Sequence, residues 1–195
     1  MKKNKLNLRE EYQKSWDYIR ESRNFIYLII GVFFLFVLAG YFLPVSTEIE
    51  NLIMEFIKNL LEQTKNMSYS ELSSFIFLNN LESSFFGLIF GFFLGIFPVL
   101  VAVFNGYILG FVVEKGVEGG GIFVLWRLLP HGIFELTAVF ISLGMGVKFG
   151  TFLFQKKKVE SFRKYLWNSL RVFLFVVTPL LIIAAIIEGA LIFFF

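Results

Sequence analysis

The residues best suited to chemistry in this chain are a histidine and a glutamate four positions apart. His131 is the only histidine, and it lies in the largely apolar stretch that runs from Leu128 to Glu135. On a helix, positions i and i+4 share a face, so the imidazole of His131 can donate a hydrogen bond to the Glu135 carboxylate. An ionisable pair inside a membrane is costly and is therefore a candidate functional site.

Two further polar residues are predicted to join this pair at membrane depth. Arg127 precedes His131 by four residues, and Asn105 lies within another apolar run. Pro130 argues against one straight helix through these positions, because its ring interferes with regular helix bonding. We predict an intramembrane polar cluster of His131, Glu135, Asn105 and Arg127. Three roles stay open: a network that locks the bundle, a transport or ion site, and gating by protonation of the histidine.

Catalysis and metal binding are disfavoured by what the sequence lacks. It contains no Gly-x-Ser-x-Gly motif, no His-Glu-x-x-His motif and no second histidine. The absence of cysteine removes thiolate ligands, and zinc usually takes about three or four protein ligands. We therefore predict a protein that is not an enzyme and that has no metal site and no cofactor.

The composition indicates an integral membrane protein. Of the 195 residues, 57% are hydrophobic and 19% are aromatic, and the mean hydropathy is +0.73. Several apolar runs reach the roughly 20 residues that cross a bilayer. The net charge is only +3, and the basic residues flank apolar runs, which favours a role in membrane orientation over nucleic-acid binding.

The apolar runs and their breaks predict an all-α, polytopic transmembrane bundle in one domain, residues 1–195, with about five spanning helices. The predicted spans are residues 25–43, 75–97, 98–117, 131–149 and 172–194. Residues 122–129 are too few to cross, so they are predicted to form a partial or re-entrant segment before the fourth span.

The distribution of charge predicts the orientation. Lysine and arginine dominate residues 1–24 and 151–171, whereas residues 45–74 are net acidic. Basic segments stay on the cytoplasmic side of a membrane. We therefore predict a multi-pass protein of the cell membrane with a cytoplasmic N-terminal juxtamembrane segment, a basic cytoplasmic loop at 151–171 and an outer loop at 45–74.

The outer loop contains a predicted amphipathic helix at residues 47–63. Thr47 and Glu50 fit a capping box, and apolar residues follow at helical spacing. The acidic polar face of this helix is poorly suited to anionic lipid headgroups. Two alternatives stay open for its apolar face: packing on the protein's own bundle, or docking into the groove of a partner.

Glycines recur at four-residue spacing in several apolar runs. Such faces let helices approach closely, and they serve either packing within one chain or a homo-oligomer interface. The predicted helix-packing glycines are Gly87, Gly91, Gly95, Gly106, Gly110, Gly146 and Gly150.

Glu188 is an acidic residue inside the last apolar run. One alternative is that its carboxylate reaches the outer membrane interface. The other is that it joins the central polar cluster.

The motif formed by Pro130, His131, Gly132 and Glu135 resembles that of the stage II sporulation protein M family. Segments 144–150, 79–80 and 105–110 support the resemblance, which covers about residues 25–190. The resemblance implies an integral membrane protein with five helices. In spore-forming bacteria, such proteins belong to the engulfment machinery and hold peptidoglycan-remodelling partners at the septal membrane.

These observations predict a non-enzymatic scaffold embedded in the lipid bilayer that recruits partner proteins. The predicted docking elements are the outer helix 47–63 and the basic loop 151–171, and a homo-oligomer is an open alternative. The alternative function is a small transporter or channel component, with the helix broken at Pro130 and the His131–Glu135 pair on the substrate path.

Overall fold

The computed structural model describes residues 7–43, 45–120 and 125–194, and the side chains of residues 118–131 fall outside the description. Throughout the described ranges the chain is helical and contains no strand. Five segments are long and apolar enough to cross a membrane, so the prediction of an all-α transmembrane bundle is confirmed. The helices are α1 Leu8–Glu21, α2 Arg23–Phe42, α3 Thr47–Thr64, α4 Tyr69–Ile89, α5 Ile96–Gly120, α6 Leu125–Gly150, α7 Lys158–Val172 and α8 Thr178–Phe194.

Helix α6 forms the centre of the bundle. Every residue from Phe140 to Gly150 is buried. Of the most apolar 18 consecutive residues in the span at 132–154, 72% are buried, against 22–39% in the other spans. It packs against α2, α4, α5 and α8. Where α6 packs against α4, the Ser142 hydroxyl donates a hydrogen bond of 2.8 Å to the carbonyl oxygen of Ser84.

Glycines let the backbones of neighbouring helices touch at two crossings. Where α2 meets α5, a β-carbon on Gly106 or Gly110 would collide with the α2 backbone. Where α4 meets α6, a β-carbon on Gly91 would collide with the backbone of Gly146. The other predicted packing glycines, Gly87, Gly95 and Gly150, also lie where α4 and its following turn contact α6. These glycine faces therefore pack within one chain.

A short apolar turn joins α4 to α5. After a 3-10 turn at Phe90–Phe92, Leu94 and Gly95 have positive φ angles of 57° and 71°. Gly95 adopts this conformation at little cost because it has no β-carbon. Helix α5 then begins at Ile96 rather than at the predicted residue 98. Pro98 fits within the first helical turn, because the N–H groups there have no partner inside the helix.

Helices α4 and α6 both begin earlier than the apolar pattern predicted. Helix α4 begins at Tyr69 rather than 75, because Ser68 and Glu71 form a capping box that satisfies the first backbone donors. Helix α6 begins at Leu125 rather than 131 and stays helical through Pro130. Of the predicted partial segment 122–129, residues 125–129 are thus helical, and the remainder lies outside the described residues.

The segment 151–171, predicted as a loop, is mostly helical. A 3-10 turn at Thr151–Phe154 leads into α7. The amphipathic sequence of α7 buries Ser169 and Val172 and packs against α1. This basic region forms an amphipathic helix because its apolar face packs against the rest of the protein.

A π-helical turn at Phe173–Val177 links α7 to α8 without a break. Pro179 follows it and lacks the N–H that a regular helix uses to bond the preceding turn. The Thr178 hydroxyl donates a hydrogen bond of 3.0 Å to the carbonyl oxygen of Phe173. A side chain thus satisfies a backbone carbonyl in the turn before the proline.

Candidate functional site

Two glutamates meet between α6 and α8. The carboxyl groups of Glu135 and Glu188 lie within hydrogen-bonding reach of each other. The Oε2 atom of Glu188 is buried and has no hydrogen-bond partner among the described residues. Two ionised carboxylates offer only acceptors, so a hydrogen bond between them requires a proton on one of them. The contact can therefore hold a proton or accept an external donor.

The same end of the bundle presents polar groups of α4. A β-carbon on Gly189 would collide with the Ser73 hydroxyl, which brings α4 and α8 into close contact. The Ser73 hydroxyl is buried without a hydrogen-bond partner in the described part of the chain. The Tyr69 hydroxyl donates a hydrogen bond of 3.3 Å to the carbonyl oxygen of Ile186. A shallow groove of about 270 Å³ runs between these two helices.

The structure describes the side chains of only two members of the predicted polar cluster, Glu135 and Asn105. The side chains of Arg127, Pro130 and His131 lie outside the described residues. Glu135 meets Glu188, which is one of the two alternatives that the sequence left open for Glu188. Asn105 is exposed on the surface of α5.

A second polar cluster surrounds Lys148 at the opposite end of α6. Its ammonium group lies 3.0 Å from Glu21 Oε1 and donates a hydrogen bond of 3.0 Å to the Ser22 hydroxyl. The same group lies 4.0 Å from the centroid of the Tyr18 ring, within the range of a cation–π contact. Only 4% of Lys148 is exposed. The lysine therefore ties α6 to the junction of α1 and α2.

Tyr18 completes this cluster from α1. It is buried, and burial raises the pKa of its hydroxyl, so the hydroxyl stays protonated at neutral pH. The hydroxyl faces Ser169 on α7, and neither oxygen has a hydrogen-bond partner in good geometry within the described ranges. The Ser22 hydroxyl donates to the carbonyl oxygen of Tyr18 at 2.6 Å while it accepts from Lys148.

An ion pair joins α1 to α7 beside this cluster. Arg171 Nε donates a hydrogen bond of 2.6 Å to Glu11 Oε2, and Arg171 Nη1 donates one of 2.6 Å to Asn168 Oδ1. The hydrogen bond from Arg171 holds the pKa of the Glu11 carboxyl below its ordinary value. The amphipathic α1 is therefore fastened to the bundle by both charge and burial.

Helix α3 has no buried residue. Its N-cap is Ser46, whose hydroxyl accepts a hydrogen bond of 3.4 Å from the Ile49 amide, so the predicted cap at Thr47 is displaced by one residue. An ion pair of 3.1 Å between Glu50 and Lys115 connects the start of α3 to α5. The described bundle therefore leaves much of the apolar face of α3 exposed: Ile53, Ile57 and Leu60 are half-buried, whereas Ile49, Leu52 and Phe56 are exposed.

Sequence reasoning missed the Lys148 cluster, and it gave the approach of Glu188 to the cluster of Glu135 only as one of two alternatives. Lys148 lies just before the basic segment 151–171, but the uncharged sequence that precedes it in α6 is a signal of burial. Glu21 is separated from Lys148 by more than a hundred residues, and no periodicity predicts such a pairing.

Comparisons with known proteins match most of the chain. The family model of stage II sporulation protein M matches residues 26–191. A protein of Methanocaldococcus jannaschii, described only as uncharacterized, is 30% identical over 176 residues, which cover 87% of this chain and 78% of that protein. No solved structure matches the chain. The chain is a multi-pass membrane protein with five apolar spans, and it belongs to the stage II sporulation protein M family.

Proposed function

We propose that this protein is a non-enzymatic scaffold of the cell membrane that holds a partner protein through α3. The observation that carries the proposal is the exposed apolar face of this helix. Ile49, Leu52, Phe56 and Leu61 are 47–65% exposed. Helix α3 also lies outside the five apolar spans, so its apolar residues are not needed to cross the membrane. Exposed apolar faces of this kind mark interaction sites.

The charges of α3 favour a protein partner over a lipid surface. The polar face carries Glu48, Glu50, Glu55 and Glu62 against Lys58. Anionic headgroups repel such a face, whereas an apolar groove with a basic rim matches both faces. The partner in this proposal therefore presents an apolar groove bordered by lysine or arginine. Partner recruitment also agrees with what the family resemblance implies for spore-forming bacteria.

The basic region of α7 supplies the second docking element of the proposal. Lys156, Lys157, Arg163 and Lys164 lie there, and Trp167 is 60% exposed. With the basic N-terminal segment 1–24, this region supports an orientation in which the N-terminus and α7 face the cytoplasm. Helix α3 then lies on the outer side.

Site-specific photocrosslinking in native membranes tests the proposal. A photoreactive amino acid replaces Phe56 on the apolar face or Glu55 on the polar face. We expect a discrete protein adduct from position 56 that is much weaker from position 55. The double variant Glu48→Lys, Glu62→Lys should remove the adduct, because it repels a basic rim. The control Asp17→Lys on α1, where the aspartate side chain is 63% exposed and lies outside both docking elements, should leave it unchanged.

Two results would overturn the scaffold proposal. One is an adduct from position 56 that contains only lipid or a segment of this same chain. The other is an adduct that persists at full yield in the charge-reversed variant, because the complementary charges would then have no part in binding.

The contact of Glu135 with Glu188 favours a second candidate function, a small transporter or channel component. Paired carboxyls inside a membrane are typical of proton and ion paths. Reconstitution of the purified protein into liposomes tests this alternative with pH-sensitive and cation-sensitive dyes. Flux that the double variant Glu135→Gln, Glu188→Gln abolishes would establish transport. Flux equal to that of protein-free liposomes would exclude it under those ion gradients.

A further inference from the structure

Glu82 and Asn105 are polar side chains that are exposed at the middle of two membrane spans. Glu82 is residue 14 of the 24-residue span at 69–92, and Asn105 is residue 10 of the 22-residue span at 96–117. Both are exposed, and neither makes a hydrogen bond or ion pair with another described residue. The carbonyl oxygen of Ser84, close to Glu82 on α4, accepts a hydrogen bond from Ser142, which lies at the middle of the span at 132–154. This contact agrees with a position of Glu82 near the middle of the membrane.

Lipid cannot satisfy these groups. Hydrocarbon chains offer neither donors nor acceptors, so an exposed carboxyl or amide at this depth is unfavourable. Polar residues that face away from their own bundle in a membrane usually bond to another helix. The positions of Glu82 and Asn105 therefore point to a protein neighbour on this side.

The two residues belong to one continuous surface. On α4, Glu82 lies one turn from Phe86, whose ring centroid is 5.7 Å from that of Phe90. Phe90 contacts Phe97 at the start of α5, with 5.1 Å between ring centroids. Asn105 is eight residues beyond Phe97, which places it about 80° further around α5, within the same broad side of the helix. An exposed apolar surface, which we call the α4–α5 surface, connects the two polar groups.

Glu82 and Asn105 also lie at the same distance from the turn that joins their helices. Glu82 is 11 residues before Phe93, and Asn105 is 10 residues after Gly95. At about 1.5 Å per residue, the two side chains lie roughly 16 Å and 15 Å from the turn. A two-fold axis along the membrane normal preserves depth, so it brings Glu82 of one copy opposite Asn105 of another.

We propose that the α4–α5 surface is the interface of a symmetric dimer, in which Glu82 of each copy hydrogen-bonds Asn105 of the other. An amide donates to a carboxylate and also pairs with a protonated carboxyl, so the pair is satisfied in either protonation state. The symmetry forms the bond twice, as an isologous interface requires. The packing glycines take no part, because they are used within the chain.

The exposed face of α2 provides the contrast that makes a second copy the favoured occupant. Between residues 28 and 38, its exposed large residues are Leu28, Phe34, Leu35 and Leu38, and none of these four carries a polar group. Such a face is satisfied by lipid alone. The α4–α5 surface instead presents a donor and an acceptor at matching depth, and a second copy is the one partner certain to carry both.

Cysteine crosslinking in membranes tests the proposed interface without altering Glu82 or Asn105. The chain has no native cysteine. Two differently tagged copies are co-expressed and then oxidised, one with Phe86→Cys and the other with Leu100→Cys. Leu100 is 45% exposed and lies three residues beyond Phe97 on the same face of α5. We expect a disulfide-linked dimer that carries both tags. The matched control replaces Phe86→Cys by Phe34→Cys on α2, since Phe34 is 49% exposed and Phe86 is 47% exposed. The control should give no such dimer.

Single-molecule photobleaching in liposomes measures the association itself. We expect two copies per particle when the ratio of protein to lipid is high. Glu82→Leu and Asn105→Leu should each weaken association about tenfold, because each removes both symmetric hydrogen bonds. Glu82→Gln should stay within about twofold, since the amide still pairs with Asn105. One copy per particle at every density, or equal crosslinking from Phe34 and Phe86, would overturn the proposal.

Discussion

Towards its two ends, the span at 132–154 holds ionisable side chains in opposite surroundings. Lys148 is surrounded by a carboxylate, a hydroxyl and an aromatic ring, each within 4.0 Å. Glu135, 13 residues earlier and thus about 20 Å away along the helix, meets a second carboxyl whose Oε2 atom has no partner in the described structure. One helix therefore carries a completed polar contact at one end and an incomplete one at the other.

The difference predicts that the two ends respond differently to substitution. A fully partnered buried ion resists removal, because its neighbours are left with unmet hydrogen bonds. A carboxyl with a free acceptor can still take up a proton or an external donor. We therefore expect the Lys148 end of α6 to determine stability and the Glu135 end to tolerate conservative change.

The largest effect is expected from filling the close contact between α4 and α6 near Lys148. Gly91→Val should prevent folding, because its side chain would collide with the backbone of Gly146. The matched control is Gly31→Val on α2, where nothing lies within 4 Å of an added β-carbon. The control should stay within about 0.5 kcal/mol of the original free energy of unfolding. The yield of monodisperse protein and thermal unfolding in detergent measure the two variants. Equal yield and equal stability of Gly91→Val and Gly31→Val would contradict close packing at Gly91.

Removal of the lysine comes next. Lys148→Ala should lower the free energy of unfolding by about 2–4 kcal/mol, since it empties a buried site and strands its polar neighbours. Lys148→Met should cost less than about half of that, because it refills the site and the half-exposed Glu21 can be hydrated. Thermal unfolding separates the two variants. An equal loss in both would mean that charge, rather than volume, dominates at this position.

Smaller effects are expected at the acidic end. Glu135→Gln should change the free energy of unfolding by less than about 1 kcal/mol, because the amide supplies the donor that Glu188 lacks. Glu135→Ala should destabilise by about 1–3 kcal/mol, because it leaves Glu188 without a partner. If Glu135→Gln lowered the free energy of unfolding as much as Lys148→Ala does, the two ends would not differ in their tolerance to substitution.

The smallest effect concerns the pH dependence of the link between α1 and α7. Arg171 lowers the pKa of Glu11 in the folded protein below its ordinary value of 4.5. The stabilisation is therefore complete above that value and is lost as the pH falls through the lower, folded-state pKa. Glu11→Gln should reduce the melting temperature slightly at neutral pH and match the original protein in strong acid. A difference that grows with falling pH would contradict this sign.

Local sequence properties account for the spans but not for the sites. Length and hydropathy are read from consecutive residues, so the five crossings could be predicted. The start of α4 could have been predicted from Ser68 and Glu71, which have the spacing of a capping box. The Lys148–Glu21 contact could not, and the Glu135–Glu188 contact could be given only as one of two alternatives, because both depend on which helices pack together. The exposure of Glu82 likewise depends on which face of α4 the bundle covers.

The turn between α4 and α5 has a consequence for how the protein enters the membrane. From Ser83 to Val113 the chain carries no charge, and Phe93 and Leu94 at the turn are more than half exposed. A turn without charge has nothing to hold it in water on either side of the bilayer. Helices α4 and α5 are therefore expected to leave the insertion machinery together, as one hairpin whose direction is dictated by the charged segments at its open end.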